Sequence, residues 1–277
     1  MNRRSILNST GKYAILALIL SWSGLPIVLL VLSSLKEPKT IFDFPPQFIF
    51  TPTVQNFVRL AERWPEFFST LFNSFVITTG AALLTVVFSF LAGYGFSRFR
   101  SRPLSAFAFS MVFVRMLPPI VISIPLFPVL HALNLFDKHI TLIILYTTFF
   151  VSLGTMLMKT FIDQIPRELE ESANIDGASL GRILWSIILP LSVHGMIATS
   201  TFVIIFAWKE FLFAFLFTTT TAKTAPLIIS EMMSSVTGVL WGPLFAAATL
   251  QLIPILIYVF LVQRFLVEGA TVGSVKG

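Results

Sequence analysis

The chain has 277 residues, of which 56% are hydrophobic and only 12% are charged. Soluble domains carry about 25% charged residues, so this composition excludes an ordinary water-facing surface. The net charge is +6, but its cations are scattered between apolar runs, which argues against a nucleic-acid patch. The absence of cysteine excludes disulfides and thiolate metal sites. The three histidines lack metal-ligand spacing, so we predict no metal site.

Six apolar segments in succession predict an all-α membrane protein with six transmembrane helices. In chain order they are Tyr13–Leu35, a stretch within Phe67–Ser97, Pro103–Leu130, Ile140–Met158, Val193–Phe217 and a stretch within Met232–Gln263. A span needs about 20 apolar residues, and core helices of soluble proteins are shorter. In hydrocarbon the backbone must pair its own polar groups, which favours helices. The first run is also longer than the apolar region of a signal peptide, so we expect it to be retained.

Lysine and arginine predict the orientation of these spans. With the N-terminus inside, eleven of these cations fall in inner segments and six in outer loops, while two lie within spans. Cytoplasmic loops are enriched in such cations, so both termini are expected in the cytoplasm. The clearest contribution is the short inner loop Ser97–Arg102, which carries Arg98, Arg100 and Arg102.

The loops also carry predictions. The outer segment Lys36–Glu66 contains five prolines, a density that discourages a regular helix. The outer stretch Thr218–Pro226 is expected to be a plain solvated connection. The inner loop 159–190 has apolar residues at helical spacing on both sides of Gly177, so it predicts two short helices around a glycine turn. Pro166 suits the first turn of one helix, and Pro190 marks the end of the other.

This inner loop carries a spaced motif. It reads Glu-Ser-Ala, three residues, glycine, nine residues, and Ile-Ile-Leu-Pro, and it resembles the EAA loop of binding-protein-dependent ABC import permeases. Ser172 stands where alanine is usual. The resemblance implies that the loop docks into a groove of an ATPase subunit. The residues that would serve this coupling are Glu171, Ser172, Ala173, Asp176, Gly177, Ile187, Leu189 and Pro190.

Two other stretches are similar to the same family. The segment Ala207–Leu212 resembles the W-N-E-F-L segment of sugar-type permeases, with Lys209 where asparagine is usual. The end of the chain, Gln263–Gly277, is similar to the tail of the maltose-type second permease. Together these likenesses imply a type I ABC importer permease, with residues 1–277 as one permease domain and 268–277 as a cytoplasmic tail that reaches between the ATPase subunits.

The resemblance implies a transport subunit in a bacterial cytoplasmic (inner) membrane. Its partners would be a second six-span permease, two ATPase subunits, an outer solute-binding protein and the lipid bilayer. The chain has no phosphate-binding loop, since Gly11-Lys12 lacks both the first glycine and the hydroxyl of that motif. We therefore expect no bound cofactor and no ATP hydrolysis by this chain, with ATP and Mg²⁺ on the partner ATPases.

Two other functions stay open from the residues alone. An ion-gradient-driven transporter often shows internal repeats and ionisable residues at mid-depth, but the two halves of this chain show no convincing repeat. A membrane enzyme would need acidic or histidine residues at the end of a span, where Asp137 and His139 stand. Because loop ends are normally polar, a simple loop is the better interpretation there.

Four residues in or near mid-span are candidates for the translocation pathway, namely Arg115, Trp208, Lys209 and Glu210. In a structural interpretation Glu210 pairs with Arg115 or with a residue of the partner permease. In a functional one Arg115 or Lys209 touches a polyol or an acidic sugar derivative. Since intramembrane charges commonly pair, the structural interpretation is favoured.

Overall fold

The computed structural model describes the backbone of residues 3–99, 101–234 and 238–272, and the side chains of residues 11–99, 101–234 and 238–265. All regular structure in these ranges is helical, as predicted. The helices are α1 (Arg3–Ser34), α2 (Gln55–Arg63), α3 (Glu66–Arg98), α4 (Arg102–Arg115), α5 (Pro119–Ala132), α6 (His139–Ile162), α7 (Glu168–Ile175), α8 (Leu180–Ile183), α9 (Leu189–Leu191), α10 (Val193–Trp208), α11 (Leu212–Phe217), α12 (Ala225–Met233) and α13 (Trp241–Val272).

Six spans can be counted among the described residues. Four helices, α1, α3, α6 and α13, are long and apolar enough to cross a bilayer on their own. Two bent pairs complete the six if each counts as one span: α4 with α5, and the stretch Leu180–Leu191 with α10. The predicted all-α, six-span fold is therefore confirmed.

The predicted third span is broken rather than continuous. Its two halves, α4 and α5, meet at an angle of 95°. The break falls at two successive prolines, Pro118 and Pro119, and Pro118 has an extended backbone with ψ of 130°. A proline disfavours the helical conformation of the residue before it, so two in a row end one helix and begin another. Two later prolines, Pro125 and Pro128, lie inside α5.

The predicted boundaries of the fifth and sixth spans also change. Helix α10 ends at Trp208, and the helical structure resumes only at Leu212. The bent partner of α10 is the stretch before it, at an angle of 72°. The sixth span begins at Trp241, inside the predicted stretch Met232–Gln263, and continues past Gln263 to Phe265.

The described chain forms two compact units, Met1–Phe68 with Ile229–Ile253 and Ser69–Ile228 with Pro254–Gly277. A single permease domain over residues 1–277 stays a prediction. Of the predicted tail 268–277, the backbone as far as Val272 continues α13. Residues 273–277 lie outside the described residues, as does Arg100 of the inner loop.

The smaller unit corrects one loop prediction. Helix α2 occupies part of the outer segment, because its nine residues fit between Pro52 and Pro65. Its buried Asn56 donates hydrogen bonds to the backbone oxygens of Ser34 and Lys36, at 2.9 and 2.7 Å. These bonds satisfy carbonyls where α1 ends. Gly242 lies against the Asn56 side chain, where an added Cβ would collide.

Small residues bring α3, α6 and α10 of the larger unit together. A Cβ added to Gly154 in α6 would collide with the Ser89 side chain and would lie 3.1 Å from the methyl group of Thr199. Small residues allow membrane helices to pack closely where lipid gives no hydrophobic driving force. The core cluster of this region contains Ile77, Ala81, Ala82, Leu130, Leu142, Tyr146, Phe150, Val203, Ala207, Phe213, Ala214 and Phe217.

Candidate functional site

The inner loop 159–190 begins with the helix α7 and the predicted glycine turn. Helix α7 starts at Glu168, two residues after Pro166, so this proline precedes the helix rather than forming its first turn. Gly177 has a φ of +76°, the left-handed conformation that side chains disfavour. A Cβ on Gly177 would meet no atom within 4 Å, so the backbone conformation alone favours glycine here.

The second helical stretch of this loop confirms the other half of the prediction. Ser179 caps it, because its hydroxyl accepts a hydrogen bond from the backbone N–H of Arg182 at 3.4 Å. The stretch passes through a π-helical turn at Leu184–Ile188 and ends at Leu191. Pro190 therefore lies one residue before the end of the helix.

The predicted coupling residues lie on two faces of this loop. The exposed ones are Glu171, Ser172, Asp176, Gly177 and Pro190. The half-buried ones are Ala173, Ile187 and Leu189. The half-buried group packs on a buried cluster that includes Phe90 of α3 and Met158 of α6. The apolar motif positions thus attach the loop to the membrane helices, while the polar positions face outward.

Large apolar side chains remain uncovered beside the glycine turn. Ile175, the last residue of α7, is 86% exposed, and Leu180, the first of α8, is 54% exposed. We call these two residues the apolar tip. Trp185 is 72% exposed in the same helical stretch. Uncovered apolar side chains that stand beside exposed polar ones indicate a contact surface. The sequence motif did not identify these three residues as contact residues, because they occupy positions at which the motif specifies no residue type.

A buried ion pair fastens α7 to the end of α3. The Arg98 Nε atom lies 2.5 Å from Glu170 Oε1, with the two side chains only 8% and 10% exposed. The Tyr94 hydroxyl donates to Glu170 Oε2 at 2.8 Å. Arg98 also donates to the backbone oxygen of Ile165 at 3.0 Å. We call Tyr94, Arg98 and Glu170 the inner anchor. The sequence showed Arg98 only as an orientation signal, and it did not single out Glu170.

More exposed polar groups extend this anchor. Ser97 donates to Asp163 Oδ1 at 2.6 Å, and Lys159 Nζ lies 2.5 Å from Asp163 Oδ2. Arg167 donates to the backbone oxygen of Ser97 at 3.0 Å. Burial opposes the charged form of Asp163, but hydrogen bonds from Lys159 and Ser97 outweigh it and lower the pKa of this carboxyl.

The predicted pair between Glu210 and Arg115 is wrong, while the alternative pairing of Glu210 with a residue of the partner permease stays a prediction. Glu210 Oε2 accepts a hydrogen bond from the Tyr146 hydroxyl at 2.7 Å, and Oε1 accepts one from the backbone N–H of Phe213 at 3.0 Å. Because α10 ends just before it, Glu210 satisfies free N–H groups at the start of α11. Arg115 instead lies over the ring of Phe149, at 5.4 Å from the ring centroid.

The other two pathway candidates lie where α10 ends. Trp208 is buried. Lys209 is exposed, with Nζ 4.4 Å from the ring centroid of Phe206. No contact of these residues with a solute follows from their placement, so the pathway assignment of the four candidates stays a prediction.

The outer stretch Thr218–Pro226 is not the plain solvated connection that was expected. Both carboxylate oxygens of Asp137 accept hydrogen bonds from it, six in all and between 2.9 and 3.1 Å. The donors are backbone and hydroxyl groups of Thr219, Thr220, Thr221 and Ala222. We call Asp137 with Thr219–Ala222 the outer anchor.

The lowered pKa of Asp137 agrees with its role as the charged acceptor of the outer anchor. Burial opposes its charge, yet the hydrogen bonds from Thr221, Ala222 and Thr219 outweigh burial and hold the pKa of Asp137 well below its usual range. His139 Nε2 lies 2.7 Å from the Asn73 side-chain oxygen. Asp137 and His139 thus both hold structural partners, Asp137 in the loop Thr219–Ala222 and His139 at Asn73 of α3.

The sequence is similar to permeases. Residues 85–271 match the family described as binding-protein-dependent transport system inner membrane component. The chain is 32% identical to the trehalose/maltose transport system permease protein MalG of Thermococcus litoralis, over 91% of each chain. It is 30% identical to the sulfoquinovosyl glycerol transport system permease protein SmoH of Agrobacterium fabrum, over 95% of this chain and 93% of that one.

The fold is similar to that of a solved importer. A chain in the crystal structure of a bacterial ABC transporter involved in the import of the acidic polysaccharide alginate superposes with a TM-score of 0.77 and 18% identity, over 95% of this chain and 98% of that one. None of the similarities described here supports an ion-gradient-driven transporter. The chain belongs to the binding-protein-dependent transport family of inner membrane components and is a multi-pass permease subunit of an ABC importer.

Proposed function

We propose that this chain is one of two permease halves of an importer that carries a carbohydrate into a bacterial cell. Two separate ATPase subunits hydrolyse ATP with Mg²⁺, and an outer binding protein delivers the solute. The chain itself binds no nucleotide. The names of relatives that share most of its length, for trehalose or maltose and for sulfoquinovosyl glycerol, support a carbohydrate as the solute.

The observation that carries this proposal is the apolar tip on a firmly held inner element. Burying an isoleucine or leucine side chain contributes about 1.5–3 kcal/mol, so Ile175 and Leu180 together can hold a protein partner. The exposed carboxylates of Glu171 and Asp176 lie close to the tip in sequence and can orient that partner. An ATPase subunit is the partner that a transport subunit without its own motor requires.

Force from that partner needs a rigid route into the membrane. The inner anchor supplies one, because the buried Arg98–Glu170 pair joins α7 directly to the end of α3. Half-buried Ala173, Ile187 and Leu189 add apolar contacts to the same region. Movement of the docked loop therefore tilts the membrane helices between inward-open and outward-open states. Both termini lie in the cytoplasm in this arrangement, which the cation distribution supports.

Substitution of the apolar tip tests the proposal. We expect Ile175→Glu to remove ATPase subunits from the purified complex and to abolish solute-stimulated ATP hydrolysis. The amount of the permease in the membrane should not change, because Ile175 is 86% exposed and packs on little within its own chain. Co-purification and ATPase assays in proteoliposomes measure both effects.

The matched control is Phe260→Ala. Phe260 is 72% exposed on α13, so it is a comparably uncovered apolar residue on a membrane span. This variant should keep both ATPase association and hydrolysis. An Ile175→Glu complex that still binds ATPase subunits and responds to solute would refute the docking role.

A further inference from the structure

Arg115 lies at the break of a bent span. It is the last residue of α4, and the helix resumes at Pro119 in a different direction. At 1.5 Å per residue, the fourteen residues of α4 place Arg115 about 20 Å from the inner end, between the two headgroup layers. Non-helical backbone at such depth is tolerated only where protein covers it or a water-filled cavity adjoins it.

The Arg115 guanidinium has aromatic partners but no acidic one among the described residues. Its Cζ atom lies 5.4 Å from the ring centroid of Phe149 and 5.5 Å from that of Phe202. Its Nη1 atom is buried without a hydrogen-bond partner. Ring faces attract a cation, but they do not accept the in-plane N–H groups of a guanidinium. Arg115 therefore retains hydrogen-bonding capacity for an acceptor.

A second cation lies on the same set of rings. The Phe202 and Phe206 ring centroids are 4.6 Å apart, and Lys209 Nζ lies 4.4 Å from the centroid of Phe206. We call Arg115, Phe149, Phe202, Phe206 and Lys209 the cation–aromatic strip. It connects two places where a helix stops within the membrane region, the ends of α4 and α10.

The charge of this strip is not neutralised from within the described chain. Glu210 is the single acidic residue in the predicted spans, and its carboxylate is occupied by Tyr146 and by the N–H groups at the start of α11. Intramembrane cations that lack a counter-charge mark pathways for solutes and ions.

We propose that the cation–aromatic strip is a binding site for an anionic sugar on the translocation pathway. The fork of Arg115 donors suits a carboxylate or sulfonate, and Lys209 adds a second positive charge. The ring surfaces of Phe149, Phe202 and Phe206 offer apolar contact to the C–H face of a pyranose. This inference rests on the proposed importer function and narrows its solute class.

Direct binding to the assembled complex tests the inference. The importer is purified with its partner permease and ATPases and placed in nanodiscs of neutral phospholipid, without binding protein, so that only membrane-domain selectivity is measured. The probes are radiolabelled methyl glucuronide and methyl glucoside, which differ by one carboxylate. We expect the wild-type complex to bind the glucuronide about tenfold more tightly, because a hydrogen bond to a charged group adds that much.

Binding measurements on single-residue variants show which side chains cause the preference for the glucuronide. Arg115→Gln should remove the preference, so that this variant binds the glucuronide and the glucoside about equally. Lys209→Gln should reduce the preference by about threefold, because an exposed cation contributes less. The matched control Arg102→Gln removes a charge at the exposed start of the same helix and should keep the full preference.

Three results would overturn the inference. One is a wild-type complex with no preference for the glucuronide, and another is an Arg115→Gln complex that retains the preference. The third is failure of Arg115→Gln to assemble while Arg115→Lys assembles, because Arg115 would then pair with a carboxylate of a partner subunit. If the wild-type chain purified without ATPase subunits, that result would contradict the importer function itself, and the inference that rests on it would fall as well.

Discussion

Two anchors flank the ends of α6 in the chain, Asp137 before it and Glu170 of α7 after it, and they are built differently. At the outer end, the Asp137 carboxylate is satisfied by six hydrogen bonds from one neighbouring loop. At the inner end, Glu170 is satisfied by a cation and a hydroxyl from α3. The outer anchor is made of four backbone N–H groups and two hydroxyls of one loop, all bound to a single carboxylate. The inner anchor ties a helix to a distant one and leaves the apolar tip of that helix uncovered.

This difference separates a loop whose polar groups are satisfied within the chain from the loop that we propose as the docking site. Backbone N–H groups that bind a carboxylate need no further partner, so the outer anchor is complete within the chain. The inner loop is fastened at its base by a buried charge pair, while Ile175 beside the turn stays 86% exposed. A surface that is rigidly held yet apolar is suited to transmit force from another protein.

Breaking the inner anchor should have the largest effect. Glu170→Ala leaves Arg98 buried without its carboxylate, which costs about 3–5 kcal/mol for a pair of this kind. We expect a marked fall in the melting temperature of the solubilised complex and loss of solute-stimulated ATP hydrolysis. Thermal unfolding followed by size-exclusion chromatography measures the first effect, and ATPase assays measure the second.

A double substitution separates stability from coupling. Arg98→Met combined with Glu170→Met removes both charges, and replacement of a buried pair by apolar residues is often neutral. The double variant should regain most of the lost stability. If it were as unstable as Glu170→Ala, the buried charge would not explain the loss.

Breaking the outer anchor should have an intermediate effect. Asp137→Asn replaces one acceptor oxygen by an amide donor that faces N–H groups, so part of the set of six hydrogen bonds is lost at this half-buried position. Hydrogen–deuterium exchange should show loss of protection at Thr219–Ala222. ATP hydrolysis should change little, because the inner anchor is intact. Equal loss of coupling in both anchor variants would remove the distinction between the two ends.

The pH dependence of the outer anchor has a definite sign. The folded-state pKa of Asp137 is depressed, so its stabilising contribution is present above the unfolded pKa, about 3.9, and is lost as pH falls through the lower folded value. Between pH 7 and pH 5, therefore, protection of Thr219–Ala222 should stay constant after correction for intrinsic exchange. Loss of protection in that window would contradict the assigned charge state.

A change at the glycine turn should have a smaller energetic effect. Gly177→Val places a β-branched residue at a φ of +76°, which costs about 1–2 kcal/mol and redirects the second helix. We expect membrane levels to remain but ATP hydrolysis to uncouple from solute. Gly177→Asn should retain more activity, because asparagine tolerates this conformation. Gly181→Ala, in α8 and with open space around it, is the control.

The exposed ion pair should matter least. Lys159 and Asp163 stand four residues apart with side chains 37% and 42% exposed, a setting in which a pair contributes about 0.3–0.5 kcal/mol. Lys159→Gln should leave the melting temperature and coupling close to those of wild type, because Asp163 keeps its bond to Ser97. A loss as large as that of Glu170→Ala would show that burial does not decide the strength of these pairs.

Local features of the sequence were sufficient for the spans and for the glycine turn. Apolar run length predicts a membrane helix because the bilayer imposes it, and Gly177 stands where the chain must turn tightly. The sequence did not show which prolines interrupt a helix and which lie within one. Pro118 and Pro119 split the third span, whereas Pro125 and Pro128 lie within a helix.

Side-chain partners came only from the tertiary structure. Arg98 and Glu170 are 72 residues apart, and Asp137 is more than 80 residues from the loop that it binds. Glu210 was expected to meet Arg115 or a residue of the partner permease, and within this chain its partners are Tyr146 and the N–H groups at the start of α11. The sequence by itself determined the number of spans, the inner loop and the family, because these depend on runs and spacings along the chain. Helix packing decided which charges meet, because hydrogen bonds require contact within a few ångströms, which periodicity along one segment does not specify.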